Sequence, residues 1–381
     1  MRKITPIKKT AADKWIIDPI SRFMNNSTSS SIVLFSSAFI AIIIANTAWG
    51  ESFHHFWETK LSIGFAGNEI SKSLHHWIND GLMAVFFFVV GLELKREIIA
   101  GELQNPKQAL LPIMAAIGGM VFPALIYFFF NPKGITSSGW GIPMATDIAF
   151  ALGVVYLLGN KVPLSLKVFL TALAIVDDLG AVLIIAFFYT SDINFVSLAT
   201  GAGFMLVLIA GNLIGIRHRL FYGIVGIGGV WLAFLMSGVH ATIAAVLMAM
   251  TIPATVKVSE NEYLMGVKKL LDAFKKENPN NKPTVTENQL HILENIRNFS
   301  KKALTPLQLL EHSLHPFVAF VVIPIFALSN AGFVFSNDIT TAIQHPVFIG
   351  TFVGLLLGKV IGVYGFTSIL LRLNLFHYQA R

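Results

Sequence analysis

Apolar residues run almost unbroken through stretches of about twenty positions, and polar residues gather in the short intervals between them. Bounded by charges and prolines, the runs predict ten membrane spans, at 32 to 49, 77 to 97, 110 to 130, 140 to 158, 165 to 189, 195 to 215, 220 to 238, 240 to 253, 316 to 334 and 346 to 371. A helix of roughly 20 apolar residues matches the thickness of a bilayer core. The run that opens at His240 is short for that task, so it is expected inside the bundle or tilted with its neighbour. The fold class these runs define is an all-α polytopic membrane protein.

Two intervals have patterns of their own. The segment 57–70, with Gly64-Phe-Ala-Gly67-Asn at its turn, reads as a β-hairpin within the first unit, 32–253. The interval 254–315 reads as two amphipathic helices split by Asn278-Pro-Asn-Asn-Lys-Pro283, the second opened by a capping box of Thr286 and Gln289. Its stripe of Leu290, Leu293, Ile296 and Phe299 is expected to pack on the membrane face. The last two spans occupy 316–371, between a polar segment 1–31 and a tail 372–381.

Composition narrows the function. With 54% hydrophobic and 13% charged residues and a mean hydropathy of +0.67, the composition favours a membrane bundle over a soluble globular domain. The net charge of +7 raises the question of nucleic acid, but the basic residues are sorted by side of the membrane. Lys60, Lys72 and Lys133 fall on one side, Lys359 falls within the last span, and every other Lys and Arg falls on the side of the N-terminus. Cytoplasmic loops carry such an excess, so both termini and the 254–315 loop are expected in the cytoplasm, the hairpin outside, and no nucleic-acid partner. The first thirty residues are polar and basic, without the apolar core and cleavage pattern of a removable signal, so the first helix is expected to be retained. Cysteine is absent, which removes disulfides, thiolate metal sites and cysteine nucleophiles.

The informative residues are charges at membrane depth. Asp147, Asp177, Asp178 and Lys359 each sit near the middle of a predicted span. A charge there costs about 2.5 to 3.5 kcal/mol, so four left unpaired would cost on the order of 10 kcal/mol, comparable with the stability of a whole domain. Asp177 and Asp178 are neighbours and diverge by about 100° around a helix. One can face a watery cavity and bind a cation while the other faces a helix where Lys359 supplies the counter-charge. Asp147 follows Gly141-Ile-Pro-Met-Ala-Thr146, where proline predicts an interrupted helix. Freed N–H groups there create positive potential that Asp147 would neutralise, with the Thr146 hydroxyl as an added ligand or cap; an ordinary capping aspartate is the plainer reading.

A second group lies near the span ends: Glu93, Arg96 and Glu97, and Glu311, His312 and His315 before Pro316. It reads either as a pH-responsive funnel mouth or as a solvated cluster, while a zinc site on Glu311 and the histidines rests on weak spacing. His240 reads as a helix-end histidine, and Gly354 and Gly358 as a motif for close helix approach. Three rivals to ion exchange stand beside it. A solute symporter would need a second pocket, an intramembrane acid/base enzyme would want its acids facing each other from different helices, and a passive cation channel is opposed by the buried Lys359.

Taken together, Gly91-Leu-Glu-Leu-Lys-Arg-Glu97, Pro143-Met-Ala-Thr-Asp-Ile-Ala-Phe-Ala-Leu-Gly153, Ala172-Leu-Ala-Ile-Val-Asp-Asp-Leu-Gly180 and Leu357-Gly-Lys359 resemble the bacterial NhaA-type sodium/proton antiporters, from about Ile32 to Leu373. The resemblance implies an inverted-repeat bundle with a discontinuous helix near Pro143. It implies electrogenic exchange of sodium or lithium for protons in the inner membrane, with no enzyme activity and no cofactor. Asp178 would be the principal Na+ ligand. Asp177 would share that site, pair with Lys359 and help carry protons, and Thr146 and Asp147 would belong to the broken-helix assembly. Glu93, Arg96, Glu97, Glu311, His312 and His315 would form the pH-sensing cluster, and the hairpin would join two copies into a homodimer among membrane lipids. The family continues with two more helices where this sequence stops at Arg381, so a C-terminally shortened member is expected, and its 257–305 insertion is longer than usual.

Overall fold

The computed structural model describes residues 18, 23, 27–65, 68–144, 155, 161–190, 193–277, 284–335 and 343–372. Helices dominate: α1 (Ser27–Ala45), α2 (Gly50–Glu58), α3 (Met83–Ala100), α4 (Pro106–Phe130), α5 (Leu164–Phe188), α6 (Phe195–Ile214), α7 (Arg219–Ser237), α8 (Ala241–Thr251), α9 (Glu260–Lys276), α10 (Glu287–Ala303), α11 (Pro306–Asn330) and α12 (Pro346–Arg372). Among the described residues, six helices are long and apolar enough to cross a membrane: α4 over Ala109–Phe130, α5, α6, α7, α11 and α12. Their outward faces are apolar, with Phe129 and Phe187 79% and Leu213 83% exposed. A helix satisfies its own backbone, so such faces can meet lipid.

The core gathers around α8. Its 11 residues bury Ala241, Ala244, Ala245, Val246, Met248, Ala249 and Thr251, against Leu92 of α3, Leu208 of α6, Val230 and Phe234 of α7 and Leu307 of α11. A helix too short to span is thus enclosed by longer ones. Among the described residues four π-helical turns, Trp77–Leu82, Gly226–Trp231, Val318–Val322 and Gly354–Gly358, interrupt the long rods.

Several elements differ from the reading of the apolar runs. The first run breaks after Ala45 and bends by 115° into α2, because Thr47 Oγ1 and Asn46 Nδ2 both donate to preceding backbone carbonyls, competing with the helix. Asn46 also bridges to the segment that follows α11, donating to Phe333 O and accepting from Phe335 N. Trp57 belongs to α2, so the hairpin starts later, as β1 (Lys60–Phe65) paired antiparallel with β2 (Asn68–Ser73), Ile63 facing Ile70. Helix α11 begins ten residues before the predicted 316, since Thr305 caps it with Gln308 and Pro306 fills its first turn. Pro316 is absorbed just before the π-turn at Val318. The stretch entering the predicted fourth span is a 3₁₀ helix, Ile135–Met144, and the residues that follow lie largely outside the described ones. In α10, Ile296 and Phe299 turn toward α9, where the Phe299 ring stacks on Tyr263, so half of the expected membrane-facing stripe is spent inside a helical hairpin.

Candidate functional site

The site is built on α4, between α5 and α12. Gly354, Gly358 and Gly362 recur every fourth residue, so they form a bare strip along one face of α12. A methyl group at Gly358 would lie 2.7 Å from the Pro123 Cα of α4, and one at Gly118 would strike the Phe366 ring at 2.8 Å. Without side chains the two backbones meet directly. On the other side of α4, Gly180 of α5 faces Met120, whose methyl would lie 2.6 Å from an added one.

This close packing brings two charges together. Lys359 follows Gly358 and passes Gly119, where an added methyl would stand 3.8 Å from its amine. Its Nζ donates to Asp177 Oδ2 of α5 at 2.6 Å, with the side chains only 15% and 4% exposed. Asp178, the next residue and about 100° further round α5, is half-buried. One carboxylate of the adjacent pair is therefore neutralised by an ammonium, and the other occupies a different sector of the helix.

The 3₁₀ helix is pinned against the same place. Tyr127 OH of α4 donates to Thr136 O at 2.8 Å, while Tyr189 OH, just past α5, donates to Ser138 O at 2.5 Å and accepts from Gly141 N at 3.1 Å. Pro143 and Met144 are buried, and Met144 joins Ala116 and Met120 in a cluster bordered by Val176. The chain thus enters the α4–α5 interface beside Asp177 two residues before Thr146. Thr146 and Asp147 themselves lie outside the described residues.

The second predicted group is partly assembled, at the end of α3 and the start of α11. Arg96 pairs with Glu311, and its Nη2 donates to Glu97 Oε1 at 3.0 Å. Glu93 lies within electrostatic range of all three and His315 within range of Glu311, while His312 and His315 are exposed. Among the described residues no three His, Asp or Glu side chains are placed to hold a metal.

One residue escaped the sequence reading. Lys95 donates to Met250 O at 2.6 Å and Ile252 O at 2.5 Å, and Asn212 Nδ2 donates to Thr251 O at 2.8 Å. Together they hold three consecutive carbonyls where α8 ends. Lys95 resembled an ordinary basic residue at a span end. The available signal was that α8 has no basic residue in its own last turn, so its terminal carbonyls need donors from elsewhere.

A bundle of apolar helices around a carboxylate and an ammonium, sunk together at a glycine-lined crossing, defines a multi-pass membrane protein with an ionic centre. The chain belongs to the family described as Na+/H+ antiporter 1, whose model matches residues 21–381. It is 48% identical over 358 residues to a Na(+)/H(+) antiporter NhaA 2 of Syntrophotalea carbinolica, covering 94% of this chain and 82% of the relative. A Na(+)/H(+) antiporter NhaA of Oleidesulfovibrio alaskensis is 48% identical over 349 residues, 91% of this chain and 77% of the relative. One from Acidithiobacillus ferrooxidans is 45% identical over 352 residues, 91% and 80% respectively. The family is one of ion transporters, so the chain is not an enzyme.

Proposed function

We propose that the chain is a secondary active transporter of the inner membrane that extrudes sodium, or lithium, in exchange for protons, maintaining pH and sodium balance. Membership of the antiporter family carries the exchange itself. The observation that carries the residue roles is the buried contact between Lys359 and Asp177 beside Asp178. Asp178 acts as the principal cation ligand, with Asp177 contributing to the Na+ site. Sodium and protons compete for the same carboxylate oxygens, so binding of one expels the other, and that competition couples the two fluxes. Lys359 compensates Asp177 and takes part in its proton exchange. Thr146 and Asp147 complete the site from a discontinuous helix near Pro143, a reading supported by the burial of Pro143 and Met144 at the end of the 3₁₀ segment. More than one proton moves per sodium, which makes transport electrogenic and driven by the proton-motive force.

The same reading orders the molecule. About ten spans, eight within 32–253 and two within 316–371, form an inverted-repeat bundle, with both termini and the 254–315 loop in the cytoplasm, where the basic residues gather. Glu93, Arg96, Glu97, Glu311, His312 and His315 line the cytoplasmic mouth and respond to pH. The hairpin lies outside and joins two copies. Leu61 and Ile63 stand exposed on one of its faces, and its two strands leave open edges.

The test is proton movement in inside-out vesicles lacking native antiporters, followed with a pH-sensitive dye after sodium is added. Sodium-dependent proton release is expected, and its disappearance in Asp178→Asn at unchanged expression and melting temperature would support the ligand role. An Asp178→Asn protein that still exchanges at the normal rate would move that role to another residue.

A further inference from the structure

The hairpin of α9 and α10 stands apart from the bundle. Its two helices run antiparallel. Near the base, Tyr263 OH meets Ser300 Oγ at 2.9 Å and Lys257 N donates to Lys302 O, and near the tip Asn288 Nδ2 meets Glu277 Oε1 at 3.4 Å. Neither helix makes an extended contact with any other described element. Yet Leu264 is 61%, Leu271 48%, Leu290 48% and Leu293 41% exposed.

These leucines are not scattered. At about 100° per residue, Leu264, Lys268, Leu271 and Lys275 fall within a narrow arc of α9, and Leu290, Leu293, Arg297 and Lys301 within one of α10. All eight are exposed. Each arc lies about a quarter to a third of a turn from the residues facing the partner helix, in the same rotational sense. In antiparallel helices that sense puts both arcs on one side of the hairpin. Among the acids beside them, Asp272 pairs with Lys275 at 3.5 Å, and Glu294 stands 3.9 Å from His291 at the flank.

We propose that this face lies on the surface of an anionic bilayer, leucines in the headgroup boundary and basic stems extended to lipid phosphates. Leucines can enter the apolar side of the headgroup boundary while the long lysine and arginine stems beside them extend their charges to the headgroups, as in helices that lie in a bilayer interface. The hairpin is also tethered within reach, because Leu307 N of α11 bonds Pro253 O beside the end of α8.

The absence of cysteine makes a single label at Leu271→Cys or Leu293→Cys unique. The labelled full-length protein is reconstituted into phosphatidylcholine vesicles with or without phosphatidylglycerol, each carrying a lipid-attached quencher. A blue-shifted, quenched label in the anionic vesicles alone is expected. Each charge neutralised among Lys268→Gln, Lys275→Gln, Arg297→Gln and Lys301→Gln should weaken the association about fivefold without moving the melting temperature. A label equally water-exposed in both vesicles would overturn the proposal. So would a blue shift that ignores lipid charge and grows with the protein-to-lipid ratio, which would make a second copy of the chain the occupant.

Discussion

Lys359 and Asp177 hold each other at a depth where neither could stay charged alone without a large cost. Removing one partner of such a pair is expected to destabilise by about 3–5 kcal/mol, and replacing both by uncharged residues by much less. Lys359→Met should therefore lower the melting temperature in detergent sharply, and Asp177→Asn with Lys359→Met should recover most of the loss. A double variant no better than the single would assign the stability to other contacts. At the water-exposed end of the scale, the backbone N–H and the hydroxyl of Ser259 donate to the Glu262 carboxylate at 2.8 Å. The backbone bond foremost holds that carboxyl below its ordinary value of 4.5. Because the folded value is the lower one, the cap is at full strength above 4.5 and is lost as pH falls through the depressed value. Hydrogen exchange at the start of α9 should accelerate in acid before exchange in its middle. The charges of the centre were legible in the sequence because an Asp pair or a single Lys inside about twenty apolar residues stands out. Lys95 was not, because its partners are backbone carbonyls 155 and 157 residues away, and carbonyls leave no mark in composition.

At the scale of helices, the glycine strip of α12 determines how near two rods come. Gly118→Ala is expected to cost about 1–3 kcal/mol by overpacking and to shift Lys359 away from Asp177. Gly365→Ala has nothing within 4 Å of the added methyl and should be close to neutral. Comparison of the two melting temperatures separates crossing geometry from mere loss of glycine. Hydropathy located most of these rods to within a few residues, since lipid and core demand the same apolar side chains. It misplaced the start of α11, because Glu311, His312 and His315 end the apolar run although Thr305 and Pro306 begin the helix earlier. It was blind to the four π-turns, which change hydrogen-bond register without changing residue type. Of the glycine strip, the spacing of Gly354 and Gly358 was visible, but Gly362 and its counterpart Gly118 acquire meaning only once α4 is laid across α12.

For the molecule as a whole, the α9–α10 hairpin is an attachment rather than a pillar. Joining residues 257 and 302 by a short glycine linker should leave the melting temperature of the bundle and sodium-dependent proton release near their original values; a collapse of either would show that the hairpin supports the spans. The centre is a different matter, because its two halves are 182 residues apart in the chain. At about 5 to 20 residues per second of synthesis, Asp177 emerges from the ribosome roughly 10 to 40 s before Lys359. For that interval α5 carries a carboxylate whose permanent partner does not yet exist, and water, a proton or a borrowed contact has to shelter it. Seating of α5 at its final depth is then completed by a helix made much later, so a ribosome stalled before Lys359 leaves an early span waiting at the membrane for its counter-ion.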